Sequence, residues 1–321
     1  MEATLNGNLN LILSYKSDIK SAIEAKGVDM TGLSFPDYPG AIASIPVGGE
    51  FTEKDVTEGN FQIVNLNNSA SYVTANAFKN NTYLQTVTLP NCMSIYSSAF
   101  YGCSVSSVSL PVCNQIFDNA FYGNMIPTVN FPLVTFIGMD AFKFCHQLTE
   151  VSLPEVISIS GSAFYGCDSL QYVSLPLCSV IGANTFASCI ALSQIELPSC
   201  TVIQSNLFNG CTSLEMVSLP VCTLISNNAF DGCSSLSEID LPNCISININ
   251  GTFARTALNK LTLGASTICS LYSFGVFTLF NGTPIASGTG SIYVPASLVS
   301  DYQVANYWSQ YASQIFAIPE P

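Results

Sequence analysis

The stretch CDSLQYVSLPLCSVIGANTFASC, Cys167 to Cys189, returns almost unchanged as CTSLEMVSLPVCTLISNNAFDGC, Cys211 to Cys233. Its phenylalanine recurs at Phe78, Phe100, Phe121, Phe142, Phe164, Phe186, Phe208, Phe230 and Phe253, at spacings of 22, 21, 21, 22, 22, 22, 22 and 23. A second marker is an apolar residue followed by proline, at Leu89, Leu110, Phe131, Leu153, Leu175, Leu197, Leu219 and Leu241. At Leu263 glycine takes the place of proline. One unit of this size cannot bury its apolar face alone, whereas units stacked in register bury a continuous core.

Within a unit, Leu170, Val173 and Leu175 set apolar residues among polar ones and run up to Pro176. That is a short strand, closed by a proline that cannot extend a ladder. Ile181 opens the return, with equivalents at Ile95, Ile116, Ile137, Ile159, Ile203, Ile225 and Ile247. Phe186 is the large core filler, and a Gly-Cys or Ser-Cys pair turns the chain into the next unit. Nine coils stacked at a strand spacing of about 4.7–4.9 Å make a rod or arc about 40 Å long.

The repeat accounts for an unusual composition. Hydrophobic residues are 48% of the 321 and charged residues only 9%, with a net charge of -13. So few cations cannot neutralise many phosphates, which argues against nucleic acid and against anionic membrane surfaces. No apolar run reaches the 18 or so residues of a spanning helix, so no membrane insertion is expected. The start, MEATLNGNLNLILSYK, lacks the features of a secretory signal. The 13 Cys fall into two columns. Cys92, Cys113, Cys178, Cys200, Cys222 and Cys244 follow the apolar-proline pair; Cys103, Cys145, Cys167, Cys189, Cys211 and Cys233 follow the phenylalanine; Cys269 stands apart. Val134, Val156 and Asn124 replace Cys in deviant copies, so small buried thiols are expected rather than a disulfide ladder or a metal row. The single His146 and the absence of CxxC leave no zinc signature.

The phased Leu-Pro, Ile, Ala-Phe and Gly-Cys elements resemble the BspA-like leucine-rich repeats, over about residues 70–265. The resemblance implies a right-handed repeat solenoid of period about 22. A parallel β-sheet would lie on one side, with short strands or turns on the other.

The flanks differ. SIYVPASLVSDYQVANYWSQYASQIFAI, Ser291 to Ile318, is similar to a segment that often closes BspA-like arrays. Read by itself, Tyr293-Val294 is a last strand stopped by Pro295. A helix follows from Ala296, with Leu298, Tyr302, Ala305 and Trp308 on one face. Residues 266–321 thus read as a C-terminal cap, with Trp308 as its anchor. At the other end Ile12, Ile19 and Ile23 fit one helical face and Gly27 ends it. Lys16 to Ile45 resembles a short module at the start of phage tail or virion-associated proteins. Residues 1–47 therefore read as a small helical attachment module, and 48–69 as a linker with the first strand or N-terminal cap.

Catalytic constellations are lacking. A triad would have to use His146, which sits at a variable position in FKFCHQL, and there is no phosphate loop. Catalysis, cofactors and metals are not expected. Binding is expected from columns of side chains flanking each strand. One reads Thr86, Ser107, Thr128, Glu150, Tyr172, Gln194, Met216, Glu238, Lys260; the other carries Glu196 and Asp240. At least one column faces solvent, because strand side chains alternate. Tyr172, Met216, Glu196, Glu238 and Asp240 are its distinctive members. After the core phenylalanine comes a third column with Tyr101, Tyr122 and Tyr165, and with Phe144 beside Lys143. Two readings compete there: an aromatic strip for sugars or a partner, and packing between coils.

The sequence thus points to a noncatalytic binding protein of a phage particle: a tail fibre, head fibre or decoration protein. Module 1–47 would contact virion proteins, and the repeats a bacterial surface protein or glycan. The expected location is the virion, and a homo-oligomer such as a trimer is expected. A bacterial cell-surface adhesin of the same repeat class is the alternative, and a repeat-bearing glycan hydrolase a third.

Overall fold

The computed structural model describes residues 63–65 (backbone only), 71–272 and 278–320. The helical reading of residues 1–47 lies outside the described residues. What is described is a parallel β-solenoid of about 11 turns with a period near 22 residues. Each turn contributes a strand of three or four residues, such as Tyr172–Ser174, and a shorter return strand, such as Val180–Ile181. Among the described residues, long strands pair in parallel and in register, for instance Glu150 with Tyr172 and Val151 with Val173, with one break between Ser107–Ser109 and Thr128–Asn130. The return strands do the same, as Ser158 with Val180 and Ile159 with Ile181, with one break between Val180–Ile181 and Val202–Ile203. The central residue of each strand points inward; its neighbours point out, as in the exposed-buried-exposed pattern of Gln194–Glu196.

A third run of backbone bonds links the coils around the phenylalanine. In one coil the N–H groups of Asp140, Phe142 and Phe144 donate to the carbonyls of Gly161, Ala163 and Tyr165 in the next, at 3.2, 2.8 and 2.9 Å. To aim alternate N–H groups along the axis, the backbone flips into the left-handed region two residues before and two after each phenylalanine. The first position holds Asn76, Ser98, Asn119, Asp140, Ser162, Asn184, Asn206 and Asn228, all with φ between 52° and 60°. Short polar residues tolerate that conformation best after glycine. The second position is mostly glycine, which carries no Cβ to clash.

The core is a column of rings. From Phe78 to Phe280 each phenylalanine stacks on the next, with centroids 5.1–5.9 Å apart and planes within 18°. Phe280 lies 27 residues after Phe253, so the stack continues beyond the last copy legible by its period. All 13 cysteines are free and buried, and the two columns do different work. In the column after the phenylalanine, each thiol donates to the phenylalanine carbonyl of the preceding coil, as Cys211 Sγ to Phe186 O at 3.0 Å and Cys233 Sγ to Phe208 O at 3.1 Å. Asn124 takes over that role, its Nδ2 donating to Phe100 O at 2.8 Å. In the column after the proline, each thiol donates to a carbonyl two residues on, as Cys200 to Val202 at 3.2 Å, and Cys178 also reaches Ile157 O in the preceding coil at 3.7 Å. Val134 and Val156 fill this second column without any such bond, fully buried.

The C-terminal cap departs from expectation. The α-helix spans only Val299–Val304, after a 3-10 turn at Ala296–Leu298. Ala305 is extended, so Trp308 does not continue the helical face; it opens a second 3-10 segment, Ser309–Gln314. Strand Ser291–Val294 is not the last either, because Ile315–Ala317 pairs beyond it in parallel. The anchoring role of Trp308 holds by another route. Its Nε1 donates to Cys269 O at 2.8 Å, while Cys269 N–H donates to Tyr302 Oη at 2.6 Å. Tyr311 then meets Phe280 edge-on at 5.3 Å and ends the ring stack.

Two outcomes follow. Cys200→Val should cost less than about 1.5 kcal/mol, a volume-conserving swap that gives up a half-buried local bond and is already made at Val134 and Val156. Cys211→Val should cost about 1 kcal/mol more, because its bond is fully buried and links two coils. Urea unfolding of the two variants checks the difference. Burial also pushes the thiols of Cys145 and Cys211 from the ordinary 9.0 up to about 12. Below pH 9 these groups are neutral folded and unfolded, so their stabilisation is complete. Above it the unfolded chain loses its protons first, and stability falls steadily until the folded thiols ionise near pH 12. Urea midpoints measured at rising pH should fall over that window.

Candidate functional site

Two sets of residues singled out by sequence lie on different sides of the coil. Tyr101, Tyr122, Phe144 and Tyr165 line up along the turn edge, because each occupies the phenylalanine turn of successive coils. Tyr101 and Tyr122 stack at 4.6 Å, and Phe144 meets Tyr122 and Tyr165 edge-on at 5.7 and 5.6 Å. His146 lies flat on Phe144 at 5.8 Å and pairs with Asp168 at 3.1 Å. Lys79 sits over Tyr101 and Lys143 over Tyr165, both at 5.1 Å, and Lys143 also pairs with Asp140 at 3.0 Å. The strip is contiguous and half-buried, and many of its ring faces rest on neighbours within the strip.

Phe144 is out of place by ordinary rules. Its φ is +59°, at a column position where the coils before and after hold Gly123 and Gly166. A left-handed conformation costs a bulky residue about 1–2 kcal/mol. Room for the ring comes from the next coil: a Cβ at Gly166 would stand 2.6 Å from the Phe144 ring.

The second set lies on the long strand face. Tyr172, Glu196, Met216, Glu238 and Asp240 all project outward and are exposed. Register places Met216 beside Gln194, Glu238 beside Lys260, and Ser218 between Glu196 and Asp240. Strands Met216–Ser218 and Glu238–Leu241 pair only at Ser218–Asp240, as Tyr172–Ser174 and Gln194–Glu196 pair only at Ser174–Glu196, so Met216 and Glu238 have no paired register with each other. A surface depression opens there, lined by Gln194, Glu215, Met216, Glu238, Asp240 and Lys260 among others. Tyr172 and Glu196 are not among its lining residues. Lys260 Nζ holds Glu238 at 2.9 Å, leaving Glu196, Glu215 and Asp240 as an acidic margin. Glu215 was not singled out by sequence, since it precedes the strand and belongs to neither outward column. Among the described residues no group of three His, Cys, Asp or Glu could hold a metal. None of the described helices is long and apolar enough to cross a membrane.

The family model of the BspA type leucine rich repeat region matches in six copies, over residues 56–171, 114–220 and 157–275. The chain belongs to the BspA-type leucine-rich repeat family. No curated protein matches this BspA-type chain significantly. Among solved structures it is similar to a leucine rich cell surface protein from Faecalibacterium prausnitzii, at 20% identity and a TM-score of 0.36, covering 66% of this chain and 80% of that one. It is also similar to the T. pallidum leucine rich repeat protein, at 28% identity and a TM-score of 0.41, covering 53% and 75%. The pneumococcal vaccine antigen PcpA matches at 17% identity and a TM-score of 0.35, covering 78% and 85%. Superpositions this loose carry no argument about function. A noncatalytic binding or adhesin role fits the BspA-type solenoid, a binding fold and not a known enzyme family.

The turn strip can be probed without breaking the BspA-type fold. Phe144→Gly relieves the left-handed penalty of about 1–2 kcal/mol while losing ring contacts worth about 0.5–1.5 kcal/mol each. With three ring partners lost, the net cost should be about 0–3 kcal/mol, whereas Phe142→Ala in the core should cost about 3–5 kcal/mol. Thermal unfolding of both checks this.

Proposed function

We propose that this BspA-type solenoid is a noncatalytic recognition protein whose long strand face binds a bacterial surface protein or glycan. The observation that carries the reading is the depression beside Met216 and Glu238, flanked by in-register outward side chains. Its lining sets Met216, Val217 and Ile239 among convergent polar groups such as Gln194, Glu238 and Lys260, which can fix the orientation of a bound partner. The acidic margin favours a neutral or basic partner. Tyr172 and Glu196 extend the same face along the axis, and the turn strip of Tyr101, Tyr122, Phe144 and Tyr165 is a second contact zone.

The carrier is a phage particle, with residues 1–47 as the attachment module. The support is the resemblance of Lys16 to Ile45 to the opening module of virion-associated proteins. Exposure on a bacterial cell is the second reading, favoured by membership in the BspA-type family, whose members are typically at the cell surface or extracellular.

Purified full chain should bind intact cells of the bacterium that carries or hosts the gene. Glu196→Lys with Asp240→Lys should weaken that binding at least about tenfold, with an unchanged circular dichroism spectrum. Equal binding by the variant would move the site off this face. Mass spectrometry of purified phage particles decides the carrier: the chain belongs among their proteins, and its presence only in protease-shaved surface fractions of a bacterium would sink the virion reading.

A further inference from the structure

The return face has its own chemistry, which recognition by the long face leaves unused. On this face each return strand, from Tyr72–Val73 to Ser246–Asn248, presents its first residue, and all but two also the residue after the apolar one, Gly138 and Asn248 being buried. Neither position, nor the residue leading into each strand, holds a charge in any of these nine strands. Asp118, which follows Phe117, is exposed at the edge of this face and accepts Met139 N–H at 2.8 Å. At one end of the face four rings run along the axis. Tyr72 meets Tyr96 edge-on at 5.9 Å, Tyr96 stacks on Phe117 at 5.0 Å, and Phe117 touches Phe136 at 5.9 Å. Tyr72 is 49% exposed and Tyr96 43%. Met93 beside them is exposed as well.

We infer that the return face is a self-association surface, on which a second copy of this chain packs about a twofold axis. Exposed aromatics and Met with charge excluded are the composition of an interface core. Charge selects the occupant. A chain of net charge -13 repels its own copy wherever acids face acids, and the return face lets two copies meet without that repulsion. The stacked return strands, in one sheet up to Val180–Ile181 and a second from Val202–Ile203, form a face that can be self-complementary, because a twofold axis brings the same patch of each copy together. Nine strands about 4.8 Å apart and about 12 Å across offer about 500 Å² per copy, or roughly 1,000 Å² in the pair, the low end for a specific interface. The pair is therefore reversible, forming in the micromolar range.

Analytical ultracentrifugation of the full chain from about 1 to about 100 µM tests this. A monomer–dimer equilibrium is expected. Tyr96→Glu should raise the dimer dissociation constant at least about tenfold, while Tyr96→Phe and Tyr172→Glu leave it unchanged. Matching circular dichroism spectra ensure that the variants are folded. Added salt should tighten the dimer, since it screens the repulsion of two like-charged copies and leaves an uncharged contact alone. A chain monomeric throughout, a trimer, a dimer indifferent to Tyr96→Glu, or one that salt loosens would each overturn the inference. Binding of Tyr96→Glu to bacterial cells reads the long face separately, so the two proposals fail independently.

Discussion

Everything in this solenoid answers to the axial repeat set by backbone hydrogen bonding, about 4.8 Å from one coil to the next. Each side chain is stacked on its own counterpart, so a core position must suit both the coil above and the coil below. The rings sit 5.1–5.9 Å apart, wider than the strand repeat, and so stack with a lateral offset. Fully buried phenylalanine at nearly every such level fixes the cross-section of the coil. The smaller columns then fill what the rings leave. Valine can enter where the thiol bonds a carbonyl two residues on, and asparagine enters where the thiol bonds the phenylalanine carbonyl of the preceding coil.

The same register sorts the surface. Outward positions form columns that differ in kind from side to side. Acids and Lys260 gather on the long strand face, rings and Lys143 along the turn edge, and uncharged residues on the return face. With charged residues at only 9% of the chain, where they stand matters more than how many there are. Lys260 and Glu238 face each other because their strands pair in register, and Arg255 reaches Asp231 in the preceding coil at 2.6 and 2.8 Å. These exposed pairs add little to stability; they set which charges remain free.

Much of the fold was legible because its largest demands are demands for volume. Phe186 and its equivalents cannot be mistaken once their spacing is seen, and Leu-Pro marks each strand end. The left-handed positions were harder to see. Asn184 or Ser162 satisfies a backbone requirement with a residue that otherwise looks like solvated surface. Phe280 was hidden by its longer spacing, which breaks the phase of the repeat. The cap defeated helical periodicity because Trp308 and Tyr302 converge on the backbone of Cys269, and Ala305 bends the chain to let them. For the candidate site, the outward columns could be read from alternation. The depression beside Met216 could not, since the strands that line it look ordinary in sequence. Nor could the mutual contacts of the turn rings, which depend on Phe144 taking a conformation its size disfavours.

The clamp on Cys269 bears on how the molecule would carry a load. Each coil is held to its neighbours by bonds on three sides but to nothing farther away, so tension between the chain ends strips coils singly from a terminus. A coil of about 22 residues pulled straight adds about 75 Å of length, and the array would yield as a series of equal steps. Trp308 and Tyr302 grip the backbone of Cys269 from the far end of the sequence, so peeling from the C-terminus must first break that grip. The cap that seals the core is thus also a mechanical latch at its own end of the array.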